Sequence, residues 1–294
     1  MTASPVSDVS VPTAFGTLAG AVFDARVHRR RALADLVVVW PSVLSTARVQ
    51  RGLVSLLAAD HVVLAVDPPG HGSSRIERAS QLSNAACAEA TWDLIDAAAV
   101  GLDARQAPTV RWVGTSWGGL VGLEASLSSP ARVSHLSCLN TPFAFTAPPA
   151  LRPAALPLLA RGLGTSPLFA AMTARSFFLP RTRRDPSKRA AMAAHRATFT
   201  DGDRQQLAAA LRLLFVDRED ATAQLGQVDV PTLVIAGAHD PMYSPAAQRE
   251  SADRLPRGWF EVVDSAHIAA VDATAEVAEH LTRSWSRAER SRPR

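Results

Sequence analysis

The sequence of 294 residues has little cysteine and no apolar stretch long enough to cross a membrane. Its two cysteines, Cys87 and Cys138, lie far apart and without CxxC spacing, so neither a disulfide framework nor a zinc site is indicated. The longest apolar runs, such as residues 36–40, have the length of a strand, whereas a membrane helix needs roughly 18 to 20 apolar residues. The composition therefore predicts a soluble protein that does not associate with membranes.

Other familiar signals are also missing. The N-terminal stretch MTASPVSDVSVPTAFG lacks the basic start and apolar run of a secretory signal, so we expect a cytoplasmic protein. No HxxxH, CxxC or GxGxxG pattern occurs, and the sequence therefore predicts neither a metal ion nor an organic cofactor. The number of subunits leaves no signal in the sequence.

Positive charge is concentrated at the end of the chain. The formal net charge is +4, and the last twelve residues contain five arginines and one glutamate, which equals the whole excess. This distribution is typical of a disordered basic tail, here at about residues 286–294, rather than of a nucleic-acid-binding surface. We therefore expect no nucleic-acid partner.

Short apolar runs alternate with longer helical stretches along the chain. Six runs have the composition of buried strands: 36–40, 61–67, 109–114, 133–139, 231–237 and 259–264. Apolar strands without polar alternation, separated by helices, are typical of a parallel sheet covered on both faces, because each crossover needs a helix. The sequence therefore predicts an α/β fold with a mostly parallel central sheet flanked by helices.

The alternation stops between residues 143 and 225. The interval 143–225 is rich in Ala, Leu, Pro and Arg and has no clear strand pattern, so we expect a helical insertion. Its clearest helix follows Thr200 or Asp201, either of which would serve as the N-cap. Residues 1–142 and 226–294 would then form the core of the same domain.

The stretch GTSWGG, residues 114–119, places Ser116 where a predicted strand ends and a predicted helix begins. In this context G-x-S-x-G is typical of a nucleophile elbow, a turn so tight that side chains two residues before and after the serine would collide. Gly114 and Gly118 remove those side chains. Free N–H groups of the following helix would stabilise an oxyanion at the same spot. The alternative is a plain strand-to-helix turn.

A serine hydroxyl needs a neighbouring base, which in turn needs an orienting acid. With its elbow, the chain resembles the α/β-hydrolase family, in which the acid follows a late strand and the histidine follows the last one. Asp240 follows the fifth predicted strand and His267 the sixth. The resemblance therefore implies a catalytic triad of Ser116, Asp240 and His267. Asp264 is the rival acid, in a poorer position at the end of its own strand.

The resemblance also implies a second oxyanion donor, from the loop after an early strand, beside the N–H of Trp117. That loop has the sequence WPSVLS (40–45), where the family more often has His-Gly. Matching the strand ends selects the N–H of Ser42, with Val43 as the alternative. A similar WPS stretch occurs in some lactonase-like members, although it is too short to assign a substrate.

Two further segments match the family by position. The turn DPPGHGSS, residues 67–74, resembles a structural Gly-rich turn, and we expect Asp67 and His71 to hold it through hydrogen bonds. The insertion corresponds to the helical cap that many members place over the nucleophile. Candidate substrate-contacting residues, of types that are also common in an ordinary core, are Trp40, Phe143, Phe145 and Met242.

The sequence thus predicts a serine hydrolase that cleaves a carboxylic ester or lactone of a small, largely apolar molecule through an acyl-enzyme. The same triad supports C–C bond hydrolysis, thioester hydrolysis and cofactor-free peroxidation, because the fold does not fix the substrate. A ligand-binding protein that retains the triad is a further alternative.

Overall fold

A computed structural model of the protein describes residues 4–24, 35–101, 109–144, 160–162, 164–218 and 220–290. The strands within these residues are β1 Ser7–Thr13, β2 Gly16–Phe23, β3 Asp35–Trp40, β4 Val62–Asp67, β5 Arg75–Ile76, β6 Thr109–Thr115, β7 Val133–Leu139, β8 Thr232–Gly237 and β9 Gly258–Val263. The α-helices are α1 Arg51–Leu57, α2 Asn84–Gly101, α3 Trp117–Ser128, α4 Pro167–Phe177, α5 Pro180–Arg184, α6 Arg189–Thr200, α7 Arg204–Arg212, α8 Pro245–Asp253, α9 Ala269–Asp272 and α10 Thr274–Arg290.

The strands form one sheet in the order β1-β2-β4-β3-β6-β7-β8-β9, and β5 pairs with β2. Strand β2 is antiparallel to β1, β4 and β5, whereas every neighbouring pair from β4 to β9 is parallel. The six predicted strands are β3, β4 and β6 to β9, and the predicted α/β fold with a mostly parallel sheet is confirmed. Parallel strands place their carboxyl ends at one edge of the sheet, where α/β proteins bind ligands.

Helices cover both faces of the sheet, as the continuous apolar strands require. Val38 and Leu64 belong to one apolar cluster, together with buried residues of α2 and α3. Their chain neighbours Val37 and Val63 belong to the other, together with α1 and α10. Successive side chains of a strand point to opposite faces, so each central strand is buried on both sides.

Helices α4 to α7 lie in the interval between β7 and β8 in which the sequence predicts an insertion. The predicted cap of α7 is wrong, because Thr200 belongs to α6 and Asp201 ends that helix. Asp203 caps α7 instead, and its carboxylate accepts the N–H groups of Gln205 and Gln206. A single turn of π-helix, Leu213–Asp217, continues α7.

The C-terminal helix extends further than the sequence predicts. A basic tail is expected from about residue 286, but α10 continues to Arg290. The reason is that Trp285 belongs to the apolar cluster on one face of the sheet, Ala288 is buried, and Glu289 pairs with Arg111 of β6 at 2.6 Å. Residues 291–294 lie outside the described residues. In the part of the chain that the structure describes, none of the helices has the length and apolar character needed to cross a membrane.

Candidate active site

Ser116 lies at the carboxyl end of β6 and is the one residue between that strand and α3. Its backbone has φ +53° and ψ −108°, a conformation that residues other than glycine rarely adopt. Backbone strain of this kind costs about 1–3 kcal/mol and persists only where the surrounding structure imposes it. The N–H of Ser116 donates to the carbonyl of Leu139 at the end of β7, over 2.7 Å, which fixes the turn against the neighbouring strand.

Two glycines allow the turn at Ser116 to be this tight. A Cβ on Gly114 would lie 2.2 Å from the carbonyl carbon and oxygen of Gly118, and a Cβ on Gly118 would lie 2.0 Å from the carbonyl oxygen of Trp40. The first distance matches the collision predicted from the sequence. The second shows that the loop after β3 packs directly on the first turn of α3, so the two backbones proposed to bind an oxyanion are in contact.

Asp240 and His267 form a buried pair. The Nδ1 atom of His267 lies 2.9 Å from Oδ2 of Asp240, and both side chains are almost fully buried. Burial by itself would raise the pKa of Asp240, but His267 and the hydrogen bonds from Met242 and Asn140 outweigh that effect and lower the pKa. An ionised carboxylate can only accept, so Nδ1 of His267 carries the proton and Nε2 is left as the basic nitrogen.

Asn140 is a member of this site that the sequence analysis did not select. It follows β7 and has φ +50°, and its Nδ2 donates to Oδ2 of Asp240 at 3.0 Å and to the carbonyl of Ala266 at 3.3 Å. The backbone N–H of Met242 donates to the other carboxylate oxygen of Asp240 at 2.9 Å. The available signal was a polar residue directly after an apolar strand, at the edge where the other site residues lie.

The rival acid Asp264 is in a different environment. Its side chain is exposed, pairs with Arg181 of α5 at 2.7 Å and lies 3.1 Å from Nε2 of His239. Of these two carboxylates, it is Asp240 that contacts the ring of His267.

The loop after β3 is held by the turn that follows β4. The N–H of Leu44, which has φ +58°, donates to Nε2 of His71 at 2.9 Å, and the N–H of Ala47 donates to Oδ1 of Asp67 at 3.1 Å. Nδ1 of His71 lies 2.9 Å from the carbonyl of Pro69. Burial lowers the pKa of His71 to about 4, so its ring is neutral and Nε2 can accept. Asp67 and His71 therefore hold the candidate oxyanion loop as well as their own turn.

The candidate oxyanion and substrate-contacting residues have different surroundings. Ser42 is fully buried in the loop after β3, and Trp117 opens α3 with its ring 5.1 Å from that of Trp40. The Trp40 ring is fully buried, and its Nε1–H donates to Thr91 of α2. Phe143 is buried and Met242 is half-buried, whereas the predicted contact Phe145 lies outside the described residues. Their roles stay predictions.

Four adjacent strands thus present the site at one edge of the sheet. Ser116 follows β6, Asn140 follows β7, Asp240 follows β8 and His267 follows β9. The N–H of His239 donates to the carbonyl of Ser265 at 2.9 Å, which joins the last two loops. Within the described residues, no group of three or more His, Cys, Asp or Glu side chains is placed to hold a metal ion.

A strained serine between strand and helix, with an Asp–His pair two and three strands away, defines the α/β-hydrolase class of proteins. A family model described as alpha/beta hydrolase fold matches residues 35–274, and the chain belongs to this family.

Individual proteins similar to this chain include enol-lactonases and an esterase. The chain is 28% identical over 171 residues to 3-oxoadipate enol-lactonase 2 of Acinetobacter baylyi, a match that covers 58% of this chain and 61% of that protein. The chain spans less than two thirds of the length of the curated relatives it matches. Among solved structures, an enol-lactonase from Burkholderia xenovorans has a TM-score of 0.78 at 21% identity and covers 94% of this chain and 99% of its own. A thermophilic esterase from Thermogutta terrifontis has a TM-score of 0.77 at 19% identity and covers 96% of this chain and 98% of its own.

Proposed function

We propose that the protein is a serine hydrolase that cleaves a carboxylic ester or lactone of a small, largely apolar molecule. The observation that carries this proposal is the buried 2.9 Å contact between His267 and Asp240, at the same sheet edge as the strained Ser116. A ligand-binding protein has no physical need for an imidazole held in one tautomer at the same sheet edge as a serine that stands on an elbow.

In the proposed reaction, Oγ of Ser116 attacks the carbonyl carbon and its proton passes to Nε2 of His267. Asp240 keeps the other ring nitrogen protonated and stabilises the imidazolium that forms. The N–H groups of Trp117 and Ser42 would donate to the oxyanion. The imidazolium then protonates the leaving alcohol, and a water activated by His267 releases the acid from the acyl-enzyme.

The substrate class rests on two kinds of support. The relatives named above are an enol-lactonase, a second enol-lactonase and an esterase, all of which act on ester-like bonds. We further propose that the helices of the insertion form a cap over Ser116. Apolar residues there include Phe177, whose ring centroid lies 5.3 Å from that of His267. Apolar side chains in this position would favour binding of the apolar part of an acyl or alcohol group.

The nucleophile is tested by replacing Ser116 with alanine and measuring hydrolysis of a short p-nitrophenyl ester. We expect Ser116→Ala to lower kcat by at least about a thousandfold, because the remaining groups cannot form the acyl-enzyme. Ser128→Ala, at the other end of α3, is the matched control and should retain wild-type kcat. Wild-type turnover by the Ser116 variant, in a folded protein, would refute the proposal.

The bond type is tested separately with a panel of a carboxylic ester, a lactone and a thioester carrying the same apolar group. We expect the ester and the lactone to have the higher values of kcat/KM. A clear preference for the thioester would keep Ser116 as nucleophile but overturn the proposed substrate class.

A further inference from the structure

Asp272 connects two segments: the loop that contains His267 and the helical insertion. It lies five residues after His267, at the end of α9. Its Oδ2 accepts the N–H of Ala266 at 2.8 Å, and both carboxylate oxygens accept the N–H of Leu179 at 3.1 and 3.2 Å. Leu179 belongs to the segment between α4 and α5, so one carboxylate bridges two parts of the chain that are far apart in sequence.

A second bridge lies on the other side of His267. The N–H of Ile268 donates to the carbonyl of Phe177 at the end of α4, over 3.0 Å. The ring of Phe177 also lies against that of His267, with 5.3 Å between their centroids. We call residues 177–182 the stem of the insertion. The residues on both sides of His267 in the chain are thus hydrogen-bonded, one to the stem and the other to the carboxylate that also holds the stem.

These bonds are of the strong kind. Hydrogen bonds from backbone N–H groups to an ionised carboxylate are shorter and stronger than those between neutral groups. Asp272 is half-buried, and burial raises its pKa, an effect that the hydrogen bonds from Thr182, Ala266 and Leu179 and the nearby charge of Arg181 offset only in part. Displacing the stem would leave the half-buried carboxylate with fewer donors, and Ala266 would lose a fixed acceptor.

We propose that Asp272 is a positioning residue, which sets the ring of His267 through Ala266 and links the position of the helical insertion to the triad. This inference rests on the proposed function, because it assigns Asp272 a role in placing the proposed base. A purely structural role would lower stability without changing the chemical step in the fraction of protein that is folded.

The test compares Asp272→Asn with Asp264→Asn in the full chain, using the p-nitrophenyl ester. Asp264 is the matched control because it also holds the stem, through Arg181, but at the surface. We expect Asp272→Asn to lower kcat about tenfold and to leave KM within about twofold, since the change affects His267 rather than the bound substrate. Asp264→Asn should stay within about twofold in both constants.

Two further readouts separate positioning from stability. The rate of labelling of Ser116 by a fluorophosphonate should fall with kcat, because this reaction needs His267 but not the ester substrate. In that step the serine oxygen bonds to phosphorus, fluoride leaves and the proton passes to His267. The downfield proton NMR signal of His267 Nδ1–H should shift or broaden in Asp272→Asn and stay unchanged in Asp264→Asn.

The outcomes are distinct. A folded Asp272→Asn protein with wild-type kcat, labelling rate and imidazole signal would overturn the inference. Absence of ester turnover and labelling in the wild-type protein would instead overturn the proposed function. If Asp272→Asn does not fold, Asp272→Glu keeps the charge and moves the carboxylate by one methylene. That variant should show a lowered kcat at unchanged KM, and wild-type values for it would equally contradict the inference.

Discussion

At the scale of single residues, the carboxylate of Asp240 is kept ionised in a buried position by the donors around it. His267 and Asn140 contact Oδ2, and the N–H groups of Met242 and Tyr243 contact Oδ1 at 2.9 and 3.3 Å. Each donor stabilises the charged form of the carboxyl group. Together they fix the orientation of the carboxylate, and through it the tautomer of His267.

This arrangement predicts the effect of removing the charge on Asp240. Asp240→Asn should lower kcat by about 10³- to 10⁴-fold, because the amide would hold the imidazole in the wrong tautomer. Steady-state hydrolysis of the p-nitrophenyl ester measures the effect, and circular dichroism checks that the variant is folded. The assignment of the acid fails if Asp264→Asn is the inactive variant and Asp240→Asn is not.

The residues that the sequence could identify are those with a local signature. Ser116 has two glycines around it, and Asp240 and His267 follow apolar strands, so each could be proposed from its own neighbourhood. Asn140 also follows an apolar strand, but neither it nor Asp272 occupies a position that the family resemblance assigns to the triad. Their partners, Asp240 and Leu179, lie 100 and 93 residues away in the chain, and such pairings appear only when the strands are placed side by side.

At the scale of structural elements, the site depends on close packing of the β6–α3 turn against the loop after β3. Gly118 contacts the backbone of Trp40, and that loop is held in turn by His71 through the N–H of Leu44. The strained φ values of Leu44 and Ser116 lie on the two sides of this contact. The position of each backbone therefore depends on the other.

The packing of this turn is tested by Gly118→Ala. The new methyl group would meet a backbone carbonyl that cannot move cheaply, so we expect a loss of about 3 kcal/mol in the free energy of unfolding and a parallel loss of activity. Gly226→Ala is the matched control, because a Cβ there meets nothing within 4 Å, and it should change stability by less than about 0.5 kcal/mol. Urea unfolding measures both. Equal stability of the two variants would contradict the packing described here.

The central strands were predictable as elements, and the first two were not. Strands β3, β4 and β6 to β8 are short apolar runs because both of their faces are buried, whereas β9, at the edge of the sheet, has the same apolar pattern but is only partly buried. Strand β1 lies at the edge of the sheet with exposed and half-buried positions alternating, and it includes Pro12, which has no N–H for the sheet. Strand β2 contains Gly20, where a Cβ would lie 2.7 Å from the carbonyl oxygen of Ala65. Neither strand has the continuous apolar pattern used for the others.

At the scale of the whole molecule, three buried histidines make stability depend on pH. Burial lowers the pKa of His71 to about 4, of His135 to about 3 and of His195 to about 4, from 6.5. Below pH 6.5 the unfolded chain binds protons at these positions that the folded protein does not bind. The stability they contribute is therefore complete above pH 6.5 and is lost as the pH falls towards 4.

We expect the free energy of unfolding to fall as the pH is lowered from 6.5 to 4. These three groups should contribute up to about 4 kcal/mol per pH unit, or about 1.4 kcal/mol for each histidine. Urea unfolding across this range measures the slope. His195→Gln removes one of the three groups and should reduce the slope by about one third. An unchanged slope in that variant would show that His195 binds its proton equally in both states.

The central claim is that Ser116 is an activated nucleophile, and covalent labelling tests it most directly. The wild-type protein is treated with a fluorophosphonate and the adduct is located by peptide mapping. The account predicts one adduct, on the peptide that contains Ser116, no adduct in Ser116→Ala and much slower labelling in His267→Ala. A labelled residue other than Ser116, or no labelling of the folded wild-type protein, would contradict it.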